Sequence, residues 1–137
     1  MSERIRSECA VCDLSFEHRA GYLAAFASGE HDSVEISTTF LAEVARECRA
    51  RGYKRVLIVD ELKQPLSLID LYTLIRCLPD LGFLGMVMAY VPLNPGEQFD
   101  YRFAETAGLN AGLLGKMFQD VASAEQWLES AAQTPPS

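Results

Sequence analysis

The stretch YKRVLIVDELKQPLSLIDLY, Tyr53 to Tyr72, limits the possible folds more than any other. A basic start leads into an unbroken apolar run, Val56 to Val59, which Asp60 closes. Such a short continuous run is the pattern of a central strand covered on both faces. A loop through Pro65 then delivers Ser67 to the head of a segment with helical periodicity. Leu68, Leu71, Tyr72, Ile75 and Leu78 define the expected buried face of that helix, and Pro79-Asp80-Leu81-Gly82 is expected to end it. Strand, carboxylate, loop, serine and helix together predict a β/α unit at the centre of a sheet.

The flanking segments extend this unit in both directions. Cys9 to Phe16 alternates with period two and predicts a strand. Arg19-Ala20-Gly21 supplies a turn, and Tyr22 to Ala27 can run back as the second arm of a hairpin, although its alanines favour helix. A helix is expected from Thr38 to Arg51, capped by Ser37 and stapled by Ile36 and Leu41, with Gly52 as its stop. Gly85 to Val91 predicts the next strand, Glu97 to Leu109 a third helix and Leu113 to Phe118 the last strand, where Gly115 marks a bulge or a close backbone approach. Asp120 is placed to cap a final helix, Val121 to Ala131, with Ala124, Trp127 and Leu128 facing inward. The order predicts a single α/β domain over 1–137: a mixed sheet with an N-terminal hairpin, then alternating β/α units with right-handed crossovers and about four helices. Residues 1–7 and 133–137 are expected to fray.

Charge narrows the functional classes. The 137 residues carry a net charge of −7, against the basic face that nucleic-acid binding needs. Arg46, Arg49, Arg51, Lys54 and Arg55 form the only basic cluster and read as charge at a helix C-terminus. The N-terminus lacks the apolar core of a secretory signal, and no apolar run approaches the ~18 residues that cross a bilayer. A cytoplasmic location without membrane insertion is expected, with the four cysteines reduced.

Two places carry a family resemblance. One is Gly52-Tyr53-Lys54-Arg55-Val56-Leu57-Ile58-Val59-Asp60. The other is the run Phe103-Ala104-Glu105-Thr106, Asn110-Ala111-Gly112, Phe118-Gln119-Asp120 and Ala124-Glu125-Gln126-Trp127-Leu128. With the order of elements they resemble the STAS domain, and more narrowly the small stand-alone proteins similar to the sporulation anti-sigma-factor antagonist. That resemblance covers about residues 8 to 130. It implies a non-enzymatic fold used for protein–protein regulation. In switching members of the family, a partner kinase phosphorylates a serine at the head of the helix after the central strand. Here Ser67 lies at nearly the same offset, in the turn Gln64-Pro65-Leu66-Ser67-Leu68-Ile69-Asp70, without the family's tandem serine and glycine.

The residues themselves leave two roles for Ser67. Ser67-Leu68-Ile69-Asp70 resembles a capping box with Asp70 at the third position, and Leu66 with Leu71 makes a staple. A phosphate there would also meet free N–H groups, though Asp70 would oppose its charge. Ser67, Asp60 and Asp70 are therefore the candidate phosphoacceptor or partner-binding residues. Asp60 at a strand end also invites comparison with a phosphoaccepting receiver. The acids such a site requires, Asp13 and Glu17, fall in a strand instead of a βα loop.

Cys9-Ala10-Val11-Cys12 in a strand would send its thiols to opposite faces, and no metal site or cofactor is expected. Cys48 and Cys77 read as core, and His18 and His31 as solvated turn residues. Tyr72, Met88 and Phe103 are candidates to line an apolar pocket for a small ligand. The leading expectation is a regulatory module binding a protein partner or a second copy of itself. The alternative is a carrier of a small apolar molecule.

Overall fold

The computed structural model describes residues 4–7, 9–96 and 99–132. One six-stranded sheet runs in the order of the sequence. Its strands are β1 (Arg4–Ser7), β2 (Asp13–Arg19), β3 (Tyr22–Gly29), β4 (Arg55–Leu62), β5 (Val87–Pro92) and β6 (Leu114–Met117). The pairs β1/β2 and β2/β3 are antiparallel, while β3 to β6 are parallel. The helices are α1 (Val34–Arg51), α2 (Leu68–Leu78), α3 (Tyr101–Asn110) and α4 (Val121–Ala132).

Topology explains the layering. Strands added in one direction by right-handed crossovers place every connecting helix on the same face. Accordingly α1, α2 and α3 share one core with Leu23, Ala25, Val56, Ile58 and Met88. The alternate strand residues, among them Tyr22, Ala24, Leu57, Val59 and Val91, face Ala124 and Leu128 of α4. β4 is buried on both faces from Val56 to Asp60, as its apolar run predicts. The single-domain α/β plan, the N-terminal hairpin and the later β/α alternation all match the expectation. No helix of the described residues is long and apolar enough to cross a membrane.

Several boundaries differ, each for a local reason. Arg4–Ser7, expected to fray, pairs with β2 in the register Arg4↔Glu17 to Ser7↔Leu14. That places Cys9 to Cys12 in the loop of a β1–β2 hairpin instead of a strand. β3 forms despite its alanines: Ala24, Ala25 and Ala27 are buried in the two cores that flank the sheet, so tertiary packing overrides their helical preference.

Helix α1 starts earlier than expected. Ser33, not Ser37, is its cap, and accepts from the Ile36 N–H at 3.0 Å. Gly52 does end α1, at φ 76°, with its N–H on the Arg49 carbonyl. α2 ends at Leu78 as expected, and Pro79–Phe83 follows as one wide turn with Gly82 inside it at φ 115°. A side chain at Gly82 would meet the Arg49 guanidinium. α3 begins at Tyr101 under an Asp100 cap, later than expected, and residues 97–98 lie outside the described residues. At Gly115 a Cβ would sit 3.7 Å from the Met88 carbonyl, an ordinary contact, so no close approach demands glycine there. Asp120 caps α4 as expected, accepting from the Ser123 N–H at 2.7 Å.

Candidate functional site

The parallel strands end at one edge of the sheet, where the N-termini of α1, α2 and α3 also lie. In α/β sheets this carboxyl edge is the usual place for a site. Here the described strands follow sequence order without reversal, so they leave no switch-point crevice of the doubly wound kind. What gathers at the edge is a set of loops and capped helix ends.

Asp60 sits inside β4, not at its end, and is 9% exposed. Its Oδ2 accepts the Tyr90 hydroxyl at 2.6 Å and its Oδ1 accepts the Leu62 N–H at 3.0 Å. Asp32 lies beside it across a cavity of about 30 Å³. Its Oδ1 accepts the Ser37 hydroxyl at 2.6 Å and the Ser33 N–H at 2.7 Å. Burial pushes the Asp32 carboxyl up to about 6, against its two hydrogen bonds and with the help of the Asp60 charge. Burial likewise raises Asp60, and the Tyr90 phenol is driven well above its ordinary value by burial and then by Asp60.

This cluster is a satisfied network. Among the described residues no fully buried side-chain polar atom lacks a partner. Both Asp60 oxygens are engaged, by the Tyr90 hydroxyl and the Leu62 N–H, an arrangement unlike the open carboxylate of receiver chemistry. Asp13 and Glu17 are occupied too, Asp13 by Arg6 at 2.6 Å and Glu17 by Arg19 at 3.0 Å. No group of three or more His, Cys, Asp or Glu side chains among the described residues is arranged to hold a metal.

Ser67 stands apart from that network, at the surface. Its hydroxyl accepts the Asp70 N–H at 3.1 Å and caps α2, as the sequence predicts. Asp70 contributes its backbone N–H to this cap and is itself exposed. Leu66 and Leu71, the expected staple, are both half-buried against the core. The buried face of α2 is turned from the expected one: Leu74, Ile75 and Leu78 are buried. Leu68, Ile69 and Tyr72 are 53%, 79% and 42% exposed. Between this turn and Pro95 and Phe99 lies a shallow groove of about 280 Å³.

The three candidate pocket residues are not brought together. Met88 does line an apolar cavity, between α2, α3 and the sheet, with Leu41, Leu74, Ile75 and Tyr90. Tyr72 and Phe103 instead pair outside it, ring centroids 6.1 Å apart. The cavity holds about 60 Å³ of open volume, with Glu105 and Lys116 in its wall. That is room for a few waters or one small apolar group.

Sequence reasoning missed Asp32 and Tyr90. Asp32 left a faint signal, since it precedes the cap Ser33 and lies five residues before the buried Ser37. Tyr90 left none. Its meeting with Asp60 depends on the register Asp60↔Pro92, which makes the two diagonal neighbours on adjacent strands. His18 differs from expectation, whereas His31 lies in an exposed loop as expected. His18 lies in β2 with its Nδ1 2.9 Å from the Tyr53 hydroxyl and its Nε2 3.5 Å from Glu47. His31 is exposed, 2.9 Å from Gln64 Oε1. A scan against family models finds no match to this sequence, and neither does a search of curated proteins.

Proposed function

We propose that this chain is a STAS-like regulatory module, non-catalytic and cytoplasmic, that binds a protein partner through Ser67 and the first two turns of α2. One observation carries the reading: Leu68, Ile69 and Tyr72 present an apolar strip beside an exposed serine at a helix N-terminus. Contiguous exposed apolar residues of this kind mark interaction surfaces more often than scattered ones do. The hairpin followed by β/α units also suits the resemblance, and the acidic chain speaks against nucleic acid as the partner. A phosphate on Ser67 would meet the free N–H groups of the first turn of α2 and would place two negative charges at the rim of the strip.

The test is a photo-crosslinking residue placed at Ile69 in cells, with a control at the exposed Leu114 of β6. The reading expects one discrete protein adduct from position 69, absent from position 114 and altered in the Ser67→Asp variant. An adduct with a second copy of the chain would identify a homo-oligomer. Adducts indifferent to Ser67→Asp and to position would overturn the proposal.

A second reading has its own support in the apolar cavity beside Met88, which suits a small apolar ligand. Its size argues for a minor role, because ligand pockets typically run to about 300–1,000 Å³. An acyl chain would have to part α2 from α3. Native mass spectrometry of the purified protein separates this reading from the first, since a carrier retains a small-molecule mass.

A further inference from the structure

The loop between β1 and β2 holds Cys9 and Cys12 with their sulfurs 3.7 Å apart. Both are partly exposed, whereas Cys48 is buried in α1. We propose that Cys9 and Cys12 form a reversible disulfide that fixes the edge strand β1 on the sheet. The sulfurs are already in contact, and side-chain rotation within a Cys-x-x-Cys loop brings them to bonding distance. A metal held by this pair would need further ligands, and no cluster of three among the described residues supplies them.

The location gives the bond a consequence. β1 is four residues long and largely exposed, and among the described residues it pairs only with β2. Among the described residues its side-chain ties are the exposed Arg6–Asp13 pair, the Arg4–Glu17 pair at 3.5 Å and the Arg4 guanidinium 3.8 Å above the Phe26 ring. Exposed ion pairs of this kind hold weakly. Closing the loop covalently removes many of the open conformations from which β1 departs. Cys12 also lies against the carboxyl end of β3: a Cβ added to Gly29 would be 3.8 Å from the Cys12 Cβ and 3.1 Å from Leu62. The oxidised loop is thereby anchored to the edge that carries Asp60.

The oxidant is a low-molecular-weight disulfide. Burial, and then the hydrogen bond and charge of Cys9, push the Cys12 thiol up to about 12, which disfavours its thiolate as the first attacking group. The Cys9 thiolate breaks the S–S bond of the oxidant, releasing one thiolate and forming a mixed disulfide. Cys12 then gives its proton to solvent, and its sulfur attacks the Cys9 sulfur and expels the second thiolate. Two protein thiols are oxidised by two electrons, and one small disulfide is reduced to two thiols.

The full chain is equilibrated in glutathione buffers from reduced to oxidised, quenched with acid, alkylated and mapped by peptide mass spectrometry. The expected product is an internal Cys9–Cys12 bond that dithiothreitol reverses, with Cys48 and Cys77 still alkylated. Amides of β1 should exchange hydrogen roughly tenfold more slowly in the oxidised form. Cys9→Ser abolishes the internal bond and the slowing together. Stable glutathione adducts or intermolecular bonds in place of the internal one would overturn the proposal, as would a disulfide that leaves β1 exchange unchanged.

Discussion

Tyr90 donates its hydroxyl proton to Asp60 across 2.6 Å, from β5 to the neighbouring β4. The bond places a carboxylate in the middle layer of the domain, where burial alone would favour the neutral acid. Leu62 supplies a second donor from the same strand. Removing one partner leaves a buried acceptor short of a bond, and that deficit costs about 1–3 kcal/mol. Tyr90→Phe should therefore lose about that much stability in urea unfolding at neutral pH. Asp60→Asn should make the added Tyr90→Phe cost smaller, a coupling that a double-mutant cycle reads directly. Strictly additive losses would mean that the two side chains do not act as a pair.

Asp32 gives the protein a pH dependence of definite sign. Its carboxyl lies at about 6 in the folded chain, against 3.8 without the fold. A raised acid binds more protons folded than unfolded between those values, so stability falls as pH climbs from about 4 to 6 and is flat on either side. The rise from 3.8 to about 6 is equivalent to about 3 kcal/mol at most, and solvent screening of this half-buried side chain reduces it to about 1 kcal/mol. Asp60 is raised too and adds a slope of the same sign. Asp32→Asn keeps an acceptor for Ser33 and Ser37 and should flatten the curve in part. A variant with the parent's slope would remove Asp32 as its source.

Much of this was legible beforehand. The run Val56 to Val59 announced a doubly covered strand, and Gly52, Ser67 and Asp120 announced the helix ends they occupy. These signals are local, set by one residue's side chain or backbone freedom. Pairings between elements were not legible. Ser37 looked like a cap because it begins a clean helical period, yet Ser33 supplies a cap one turn earlier and leaves Ser37 buried against Asp32. The orientation of α2 depends on which stripe α1 and α3 leave open. Period alone admitted Leu68 and Tyr72 to the core, while packing chose Leu74.

That choice yields a contrast between two positions five residues apart in sequence. Ile69→Asp replaces a side chain that touches little of the fold, and its effect on unfolding should stay within about 0.5 kcal/mol. Leu74→Ala opens a void in the core beside Met88 and should cost about 2–5 kcal/mol. If Ile69→Asp proved the more damaging of the two, the exposed strip on α2 would be part of the core and unsuited to a partner.

At the opposite edge of the sheet, Arg55 donates from Nη1 to the Leu128 carbonyl at 2.6 Å. Leu128 lies in the second half of α4. The Arg55 guanidinium also lies 5.8 Å from the Tyr22 ring centroid, and Arg19 ties Tyr22 and Glu125 into the same group. These contacts and the burial of Ala124 and Leu128 hold α4 against the sheet. Arg55→Met keeps much of the apolar stem but removes the donor. It should cost about 1 kcal/mol or more and speed hydrogen exchange in the last turns of α4 ahead of its first turn. Uniform acceleration along α4 would instead assign its docking to the Leu128 side chain. Leu128→Ala, which strips that anchor from beneath the helix, should produce that uniform pattern at a cost of about 2–5 kcal/mol.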